Sequence, residues 1–89
     1  MTAFLVELYV SRADAAALGR GAERVRRAAD EQTRRGTPVR YLRSIYVPED
    51  ETCLLLFDAV SAEAVSEVAS RAALPYERLV AAIATEAVP

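Results

Sequence analysis

"VRYLRSIYVPEDETCLLLFDA", residues 39–59, contains two apolar segments joined by a short acidic turn that begins with proline. The segments 39–47 and 52–59 are rich in leucine, β-branched and aromatic side chains, which predicts two strands. The residues between them, PEDE at 48–51, have the length and composition of a tight connection. The stretch therefore predicts an antiparallel hairpin at the centre of the chain.

A strand and a long helix are predicted before this hairpin. Residues 3–10, AFLVELYV, alternate with a period of two and predict a strand whose apolar side is formed by Phe4, Val6, Leu8 and Val10. Ser11 has the spacing to Asp14 of a helix N-cap, and the Ala- and Arg-rich segment that follows favours helix as far as Arg35. Gly36 is typical of a helix C-terminus.

A helix and a strand are also predicted after the hairpin. Ser61 is a helix N-cap, and the helix it begins carries an apolar stripe of Val65, Val68, Ala69 and Ala72. This helix must end before Leu74, because a residue that precedes proline is disfavoured in helical conformation. The last segment, ERLVAAIATEA at 77–87, suits helix by composition and strand by alternation, and we interpret it as a strand.

The element order is therefore βα, ββ, αβ within a single domain, residues 1–89. Right-handed crossovers arrange these elements as a four-stranded antiparallel sheet with both helices on one face, which is the ferredoxin-like α+β fold. The opposite sheet face would expose Leu5 and Tyr9 beside Glu7, more apolar surface than a monomer usually leaves open. We therefore expect a homodimer in which two sheets pack face to face as a dimeric α/β barrel.

Composition limits the partners and the compartment. The eleven basic residues, all arginine, are mixed with thirteen acids for a net charge of −2, so no basic field attracts nucleic acid. No apolar stretch approaches the length of a membrane span, and the N-terminus lacks the pattern of a signal peptide. The single cysteine forms no internal disulfide. We expect a cytoplasmic protein that binds neither nucleic acid nor membrane.

The hairpin and the second helix together resemble a known family. The run GTPVRYLRSIYVPEDETCLLLFDAVSAEAV and its continuation RAALPYERLVAAI are similar to the bacterial domain-of-unknown-function family 4242. The resemblance implies a ferredoxin-like fold, a dimeric α/β barrel and a nickel-binding relative whose ligands are mainly histidines. This chain has no histidine, and it has Ala73 where the family usually has glycine before Leu-Pro.

No complete catalytic or metal-binding motif is present in the sequence. Nickel, zinc and copper sites need imidazole or thiolate ligands, and the chain offers one cysteine and no histidine. Cys53 follows the acids Glu49, Asp50 and Glu51, which oppose thiolate formation, so we interpret it as a packed strand residue. The acids themselves suit a solvated hairpin tip. We predict no cofactor and no metal site within one subunit.

Polar side chains on the strands are the remaining candidates for chemistry. Glu7 lies in an otherwise apolar sheet face and needs an arginine or tyrosine partner, or a ligand. The second strand presents either Tyr41 and Arg43 or the set Arg40, Ser44 and Tyr46 to the same face. In a dry cleft, Glu7 could act as acid or base, Tyr41 as hydrogen donor and Arg43 as holder of a carboxylate or enolate oxygen.

Three functions are compatible with these patterns. The first is a homodimer with an accessory or sensor role, binding an apolar or aromatic small molecule in the barrel cleft. We expect this ligand to contact Leu5, Tyr9, Tyr46, Cys53 and Phe57. The first alternative is a cofactor-independent isomerase, cyclase or monooxygenase that uses Glu7, Tyr41 and Arg43. The second alternative is a metal-binding protein like the nickel-binding relative, with ligands contributed across subunits.

Overall fold

A βα unit and an αβ unit flank a central hairpin in the computed structural model, which describes residues 1–86. The strands are β1 (Thr2–Tyr9), β2 (Val39–Val47), β3 (Thr52–Ala59) and β4 (Arg78–Ala82), and the helices are α1 (Ala16–Arg34) and α2 (Ala62–Arg71). The predicted bounds of the two hairpin strands are confirmed. The last predicted strand is also confirmed, although it is shorter than the segment 77–87, whose final residue lies outside the described residues.

The four strands form one sheet in the order β2-β3-β1-β4, and all neighbouring strands are antiparallel. α1 packs mainly against β2 and α2 packs against β3 and β4, so both helices cover the same face. This arrangement is the ferredoxin-like α+β fold that the element order predicts. It leaves the other sheet face free of helices.

The core lies between the helices and the sheet. Alternate residues of β1 and β3 point into it because successive side chains of a strand face opposite sides. On the sheet side the buried large side chains are Phe4, Val6, Leu8, Leu55 and Phe57, and on the helix side they are Val25, Val65 and Val68. The predicted apolar side of the first strand therefore faces the helices.

The start of the first helix differs from the prediction. Ser11 caps a short 3₁₀ turn, Arg12–Asp14, by accepting a hydrogen bond from the backbone N–H of Ala13 at 3.2 Å. The N–H groups of Asp14 and Leu18 bond three residues back, to Ser11 and Ala15, so the chain is wound more tightly here than in an α-helix. Regular α-helix begins only at Ala16.

Both helices end in the same hydrogen-bonded motif. After α1, the N–H of Thr37 donates to the carbonyl of Gln32 while Gly36 has a φ of 99°. After α2, the N–H of Leu74 donates to the carbonyl of Ala69, and the left-handed position is taken by Ala73 with a φ of 55°. These are Schellman motifs, in which glycine is favoured because it has no Cβ to clash with the following carbonyl.

Replacing Ala73 with glycine is expected to stabilise the protein. The substitution removes the Cβ from a left-handed position and should raise the free energy of unfolding by about 0.5–1 kcal/mol. Urea denaturation at fixed protein concentration measures the change. Ala72→Gly is the control, since Ala72 has a φ of −80° and is buried, so glycine there should destabilise. An unchanged or lower midpoint in Ala73→Gly would contradict this account of the helix end.

A β-bulge interrupts β2. Tyr41 lies opposite Phe57 and Arg43 lies opposite Leu56, so two steps along β2 match one step along β3 and Leu42 is the extra residue. The bulge changes the side-chain alternation of the strand. Tyr41 consequently faces the helices whereas Arg43 faces the open side, and the prediction that these two residues share a face is wrong.

Within residues 1–86, neither helix combines the length and the apolar character that crossing a bilayer requires.

Candidate functional site

The sheet face that carries no helix is the main candidate surface, and we call it the open sheet face. Its side chains alternate along each strand with those buried under the helices. They include Ala3, Leu5 and Glu7 on β1, Arg40, Arg43 and Ile45 on β2, Leu54, Leu56 and Asp58 on β3, and Arg78, Val80 and Ala82 on β4. The face is therefore largely apolar, with charges of both signs interspersed.

The centre of the open sheet face consists of aliphatic side chains in neighbouring rows. Leu5 lies opposite Leu56 on one side and Val80 on the other. In the next row Leu54 lies opposite Ile45, whose side chain is 55% exposed. Aliphatic side chains that adjoin across strands form a continuous patch, and such patches on soluble proteins mark interaction surfaces.

Glu7 lies beside this patch. Its strand neighbours are Leu54 on β3 and Arg78 on β4. Arg78 lies directly opposite Glu7 in the strand register, and opposite charges at such positions attract each other. This placement supports a structural role for Glu7 at least as well as a chemical one.

The three residues of the predicted catalytic set are not brought together within one subunit. Glu7 and Arg43 are both on the open sheet face, but β3 lies between their strands, so the two strands are about 10 Å apart, and the residues are also offset by two positions along β3. Tyr41 is on the other face, where its ring lies 5.6 Å from that of Phe57 and its hydroxyl is hydrogen-bonded to Ser44. Any catalytic role for this set stays a prediction.

The five residues predicted to contact a ligand are also divided between the faces. Leu5 is on the open sheet face and Tyr9 is at its end, where it is 57% exposed. Tyr46, Cys53 and Phe57 face the helices. Phe57 is fully buried in the core, and the Tyr46 hydroxyl donates a hydrogen bond to the carbonyl of Val10 at 2.6 Å. A molecule on the open face could contact only the first two.

Cys53 is buried under the helices, as the sequence predicts for a packed strand residue. Burial raises the pKa of its thiol, so the thiol form dominates at neutral pH. Tyr46 lies opposite it on β2 and Leu8 lies opposite it on β1. These surroundings do not activate a nucleophile.

One acid of the hairpin tip has a role that the sequence did not indicate. Glu51 has a left-handed φ of 50°, and its carboxylate accepts hydrogen bonds from the backbone N–H of Arg12 at 2.9 Å and from the Tyr9 hydroxyl at 3.3 Å. The N–H of Val10 also donates to its carbonyl. Glu51 therefore links the hairpin by hydrogen bonds to the end of β1 and to the segment between β1 and α1. The hydrogen bond from Arg12, followed by the charge of Arg12, lowers the pKa of this carboxyl.

Neutralising Glu51 is expected to destabilise the protein in a pH-dependent way. A carboxyl whose pKa is lowered by folding stabilises the native state above its ordinary pKa, near 4.5, and loses that contribution as pH falls through the folded value. The difference in free energy of unfolding between wild type and Glu51→Gln should thus be present at pH 7 and shrink below about pH 4.5. Urea denaturation across pH measures it.

Glu49→Gln is the control for this experiment, because Glu49 lies exposed on the same turn. It should leave stability unchanged at every pH. A Glu51→Gln variant as stable as wild type at pH 7 would show that the carboxylate does not fasten the hairpin.

A depression at one end of the open sheet face could admit a small molecule, and we call it the end depression. It has a volume of about 720 Å³. Its floor and walls include Ala3, Leu42, Arg43, Leu56, Asp58 and Ala82. The bulge contributes to this shape because it brings both Leu42 and Arg43 to the lining. The depression therefore combines an apolar floor with one arginine, Arg43, and two carboxylates, Asp58 and Glu86.

Comparison with known proteins identifies the family. The model of the nickel-responsive SCO4226-like proteins matches residues 9–81, most of the chain. The chain belongs to the SCO4226-like family. The crystal structure of SCO4226 from Streptomyces coelicolor A3(2) is similar to this chain with a TM-score of 0.77 over 94% of this chain and 99% of that one. The two sequences are 16% identical, so this likeness concerns the fold. No curated protein matches the sequence of the chain.

The side chains of this SCO4226-like protein do not fit a nickel site within one subunit. Nickel prefers imidazole and thiolate donors, and the chain has no histidine and one cysteine. That cysteine is buried in β3 with a raised pKa. In the part of the chain that the structure describes, no three Cys, Asp or Glu side chains converge on a common point. Nickel binding therefore cannot be assigned to this chain from the description of its family.

We predict that the purified protein retains no stoichiometric nickel. After incubation with excess Ni²⁺ and desalting, elemental analysis should give far less than one nickel per subunit, because the strong nitrogen donors are missing. The control adds a histidine tag, which should raise the retained nickel and show that the assay detects binding. One or more nickel ions per subunit or per dimer in the untagged protein would contradict the prediction.

Proposed function

We propose that this SCO4226-like protein is a homodimer in which two open sheet faces pack together and enclose a site for a small apolar or aromatic molecule. Its role is that of an accessory or sensor protein. The observation that carries the proposal is the aliphatic centre of the open sheet face, formed by Leu5, Leu54, Leu56 and Val80. We place the protein in the cytoplasm, since its one cysteine and lack of a disulfide suit a reducing compartment.

A second copy of the chain suits this surface better than an unrelated partner. A two-fold interface is self-complementary, so it needs apolar groups that meet their own equivalents and charges of both signs. The open sheet face has an aliphatic centre together with charges of both signs, namely Glu7 and Asp58 against Arg40, Arg43 and Arg78. A chain of 89 residues also gains much from dimerisation, because alone it buries only about 60–65% of its unfolded surface.

The end depression is the ligand site of this proposal. Its volume of about 720 Å³ lies within the range of small-molecule pockets, and packing of a second sheet would cover its open side. Leu42, Leu56 and Ala82 offer apolar contact. Arg43 offers hydrogen-bond donors to a carbonyl or hydroxyl oxygen of the ligand. Because the carboxylates of Asp58 and Glu86 also line the depression and would repel an anion, an apolar or aromatic molecule without an acidic group is the ligand class that this lining favours.

The enzymatic alternative receives no comparable support. It requires Glu7, Tyr41 and Arg43 around one substrate, yet Tyr41 packs on Phe57 under the helices. The metal-binding alternative has the family name in its favour, but the donor set of this chain lacks histidine. Binding without chemistry is the function that the geometry favours.

Native mass spectrometry of protein purified without denaturation tests the proposal. We expect dimer ions that carry extra mass, and we expect mild organic extraction to remove that mass and leave the dimer. Arg43→Ala should reduce the occupied fraction, whereas Arg34→Ala, on the exposed side of α1, should not. Dimer ions without a bound molecule would overturn the proposed ligand site and would still support the proposed dimer. Monomer ions alone would overturn both.

A further inference from the structure

A second cavity lies on the other side of the sheet, and we call it the helix-side cavity. It has a volume of about 340 Å³ and is situated where β1 ends and α1 begins. Its walls come from β1, β2, β3, α1 and the loop after α2. Because all of these elements belong to one subunit, the cavity does not depend on dimerisation.

The cavity exists because α1 presents small residues to this part of the core. Ala17, Gly21 and Ala22 line it, whereas one turn further on Val25 is fully buried against the sheet. A Cβ placed on Gly21 would have no other atom within 4 Å. In this part of α1, Leu18 is the large side chain that lines the cavity, beside these small residues. The cavity is open to solvent on one side, so a bound apolar molecule would displace water and gain dispersion contacts with these walls.

The lining defines the class of molecule that would fit. The inner wall is aliphatic, formed by Leu8, Leu18, Leu55 and Leu74. The charged groups at the rim have partners: Asp14 pairs with Arg20 at 3.4 Å, and Arg24 donates a hydrogen bond to the carbonyl of Ala72 at 2.9 Å. An ionised ligand would lose hydration without gaining a free counter-charge, so a neutral ligand is favoured.

The volume sets the size of this molecule. A cavity of about 150 Å³ lined by aliphatic and aromatic side chains holds benzene, and the helix-side cavity has roughly twice that volume. Two fused six-membered rings would fill it. Cys53, the only cysteine of the chain, lines the cavity and is 5% exposed, so its sulfur can contact an aromatic ring.

We infer that the helix-side cavity is a binding site for a neutral, bicyclic aromatic or alicyclic molecule. Each subunit carries one such site, separate from the end depression on the open sheet face. The two sites differ in their charges, because Arg43, Asp58 and Glu86 line the end depression, whereas the charged groups at the rim of the helix-side cavity already have partners.

Titration of the wild-type protein with 1-naphthol, a neutral bicyclic probe, tests the inference. Isothermal titration calorimetry should give saturable binding of one molecule per subunit. In ¹H–¹⁵N correlation spectra, the amide shifts should change at Gly21, Cys53 and Leu74, and not at Leu5 or Ile45. Absence of saturable binding, or shift changes confined to the open sheet face, would overturn the inference.

Two glycines of α1 provide a matched pair of variants. Gly21→Leu places a side chain in the cavity, while Gly19→Leu places the same side chain on the exposed side of the helix, and an added Cβ meets no atom within 4 Å at either position. Gly21→Leu should weaken 1-naphthol binding by about tenfold or more, and Gly19→Leu should leave it within about twofold. Equal binding by both variants would overturn the inference.

A third variant separates this inference from the proposed dimer. Leu56→Arg disrupts the open sheet face and leaves the walls of the helix-side cavity intact. It should become monomeric and still bind 1-naphthol with wild-type affinity. If Leu56→Arg lost 1-naphthol binding while Gly21→Leu kept it, the probe would occupy the barrel and the helix-side site would be overturned.

Discussion

Replacing Leu56 with arginine is expected to convert the proposed dimer into a monomer. Leu56 lies at the centre of the open sheet face, between Leu5 on β1 and Arg43 on β2. In the proposed dimer this side chain is buried against the partner sheet, and each copy would lose about 2 kcal/mol of apolar burial. Because a two-fold interface contains the change twice, the total is about 4 kcal/mol, which weakens dimerisation about 10³-fold.

Charge adds to this effect. The introduced guanidinium would have to be desolvated in an apolar interface, and two copies would face each other across the two-fold axis. Size-exclusion chromatography with light scattering measures the mass at each concentration. Circular dichroism should remain that of wild type, since Leu56 is not part of the buried core.

Val60→Arg is the matched control for Leu56→Arg. Val60 is also an exposed aliphatic residue, at 55% exposure, but it lies after β3 and outside the open sheet face. This variant should stay dimeric. If Leu56→Arg remained dimeric at the same concentrations as Val60→Arg, the protein would use another surface to associate.

The second large effect is expected from Phe57→Ala. Phe57 has no exposed surface and is the largest fully buried side chain of the core. It also packs against Tyr41, with ring centroids 5.6 Å apart. Truncation to alanine removes this contact and leaves a cavity, which should lower the free energy of unfolding by about 3–5 kcal/mol.

A loss of this size is a large part of the stability of a small domain, about 5–15 kcal/mol. Phe57→Ala should therefore be largely unfolded in mild urea, as followed by circular dichroism at fixed protein concentration. Phe57→Leu retains most of the volume and should lose much less. A loss below about 1 kcal/mol in Phe57→Ala would show that Phe57 is not a core residue.

The strands of the central hairpin could be predicted from sequence because their boundaries are marked locally. Pro48 and the following acids interrupt the apolar pattern between 47 and 52, and Ser61 supplies a helix cap just after the third strand. Such signals depend on a few neighbouring residues, so tertiary contacts do not change the local structure that they favour. The same is true of Gly36 at the end of α1, where the left-handed conformation favours a residue without a Cβ.

The bulge in β2 has a weaker signal. Tyr41 and Tyr46 both pack against the core, yet they are separated by an odd number of positions and so cannot share one face of a regular strand. An extra residue between them corrects the alternation. Because there is no glycine or proline at Leu42, only the pairing with β3 shows the bulge. The same pairing shows that Tyr41 and Arg43 lie on opposite faces of the sheet.

The hydrogen-bonding role of Glu51 could not be predicted from sequence either. Three consecutive acids at a hairpin tip look equivalent in sequence, and all suit a solvated turn. The three acids differ because of tertiary structure. Within residues 1–86, the carboxylate of Glu51, and not that of Glu49 or Asp50, accepts a hydrogen bond from the backbone N–H of Arg12. The helix-side cavity could not be predicted from sequence, because its walls come from elements that are distant along the chain.

Sedimentation equilibrium of the wild-type protein at micromolar concentration tests the central claim most directly. The claim is that the open sheet face, with its aliphatic centre of Leu5, Leu54, Leu56 and Val80, is covered by a second copy of the chain. The account predicts the mass of a dimer across the concentration range, and the mass of a monomer for Leu56→Arg. A wild-type protein that sediments only as a monomer would contradict it.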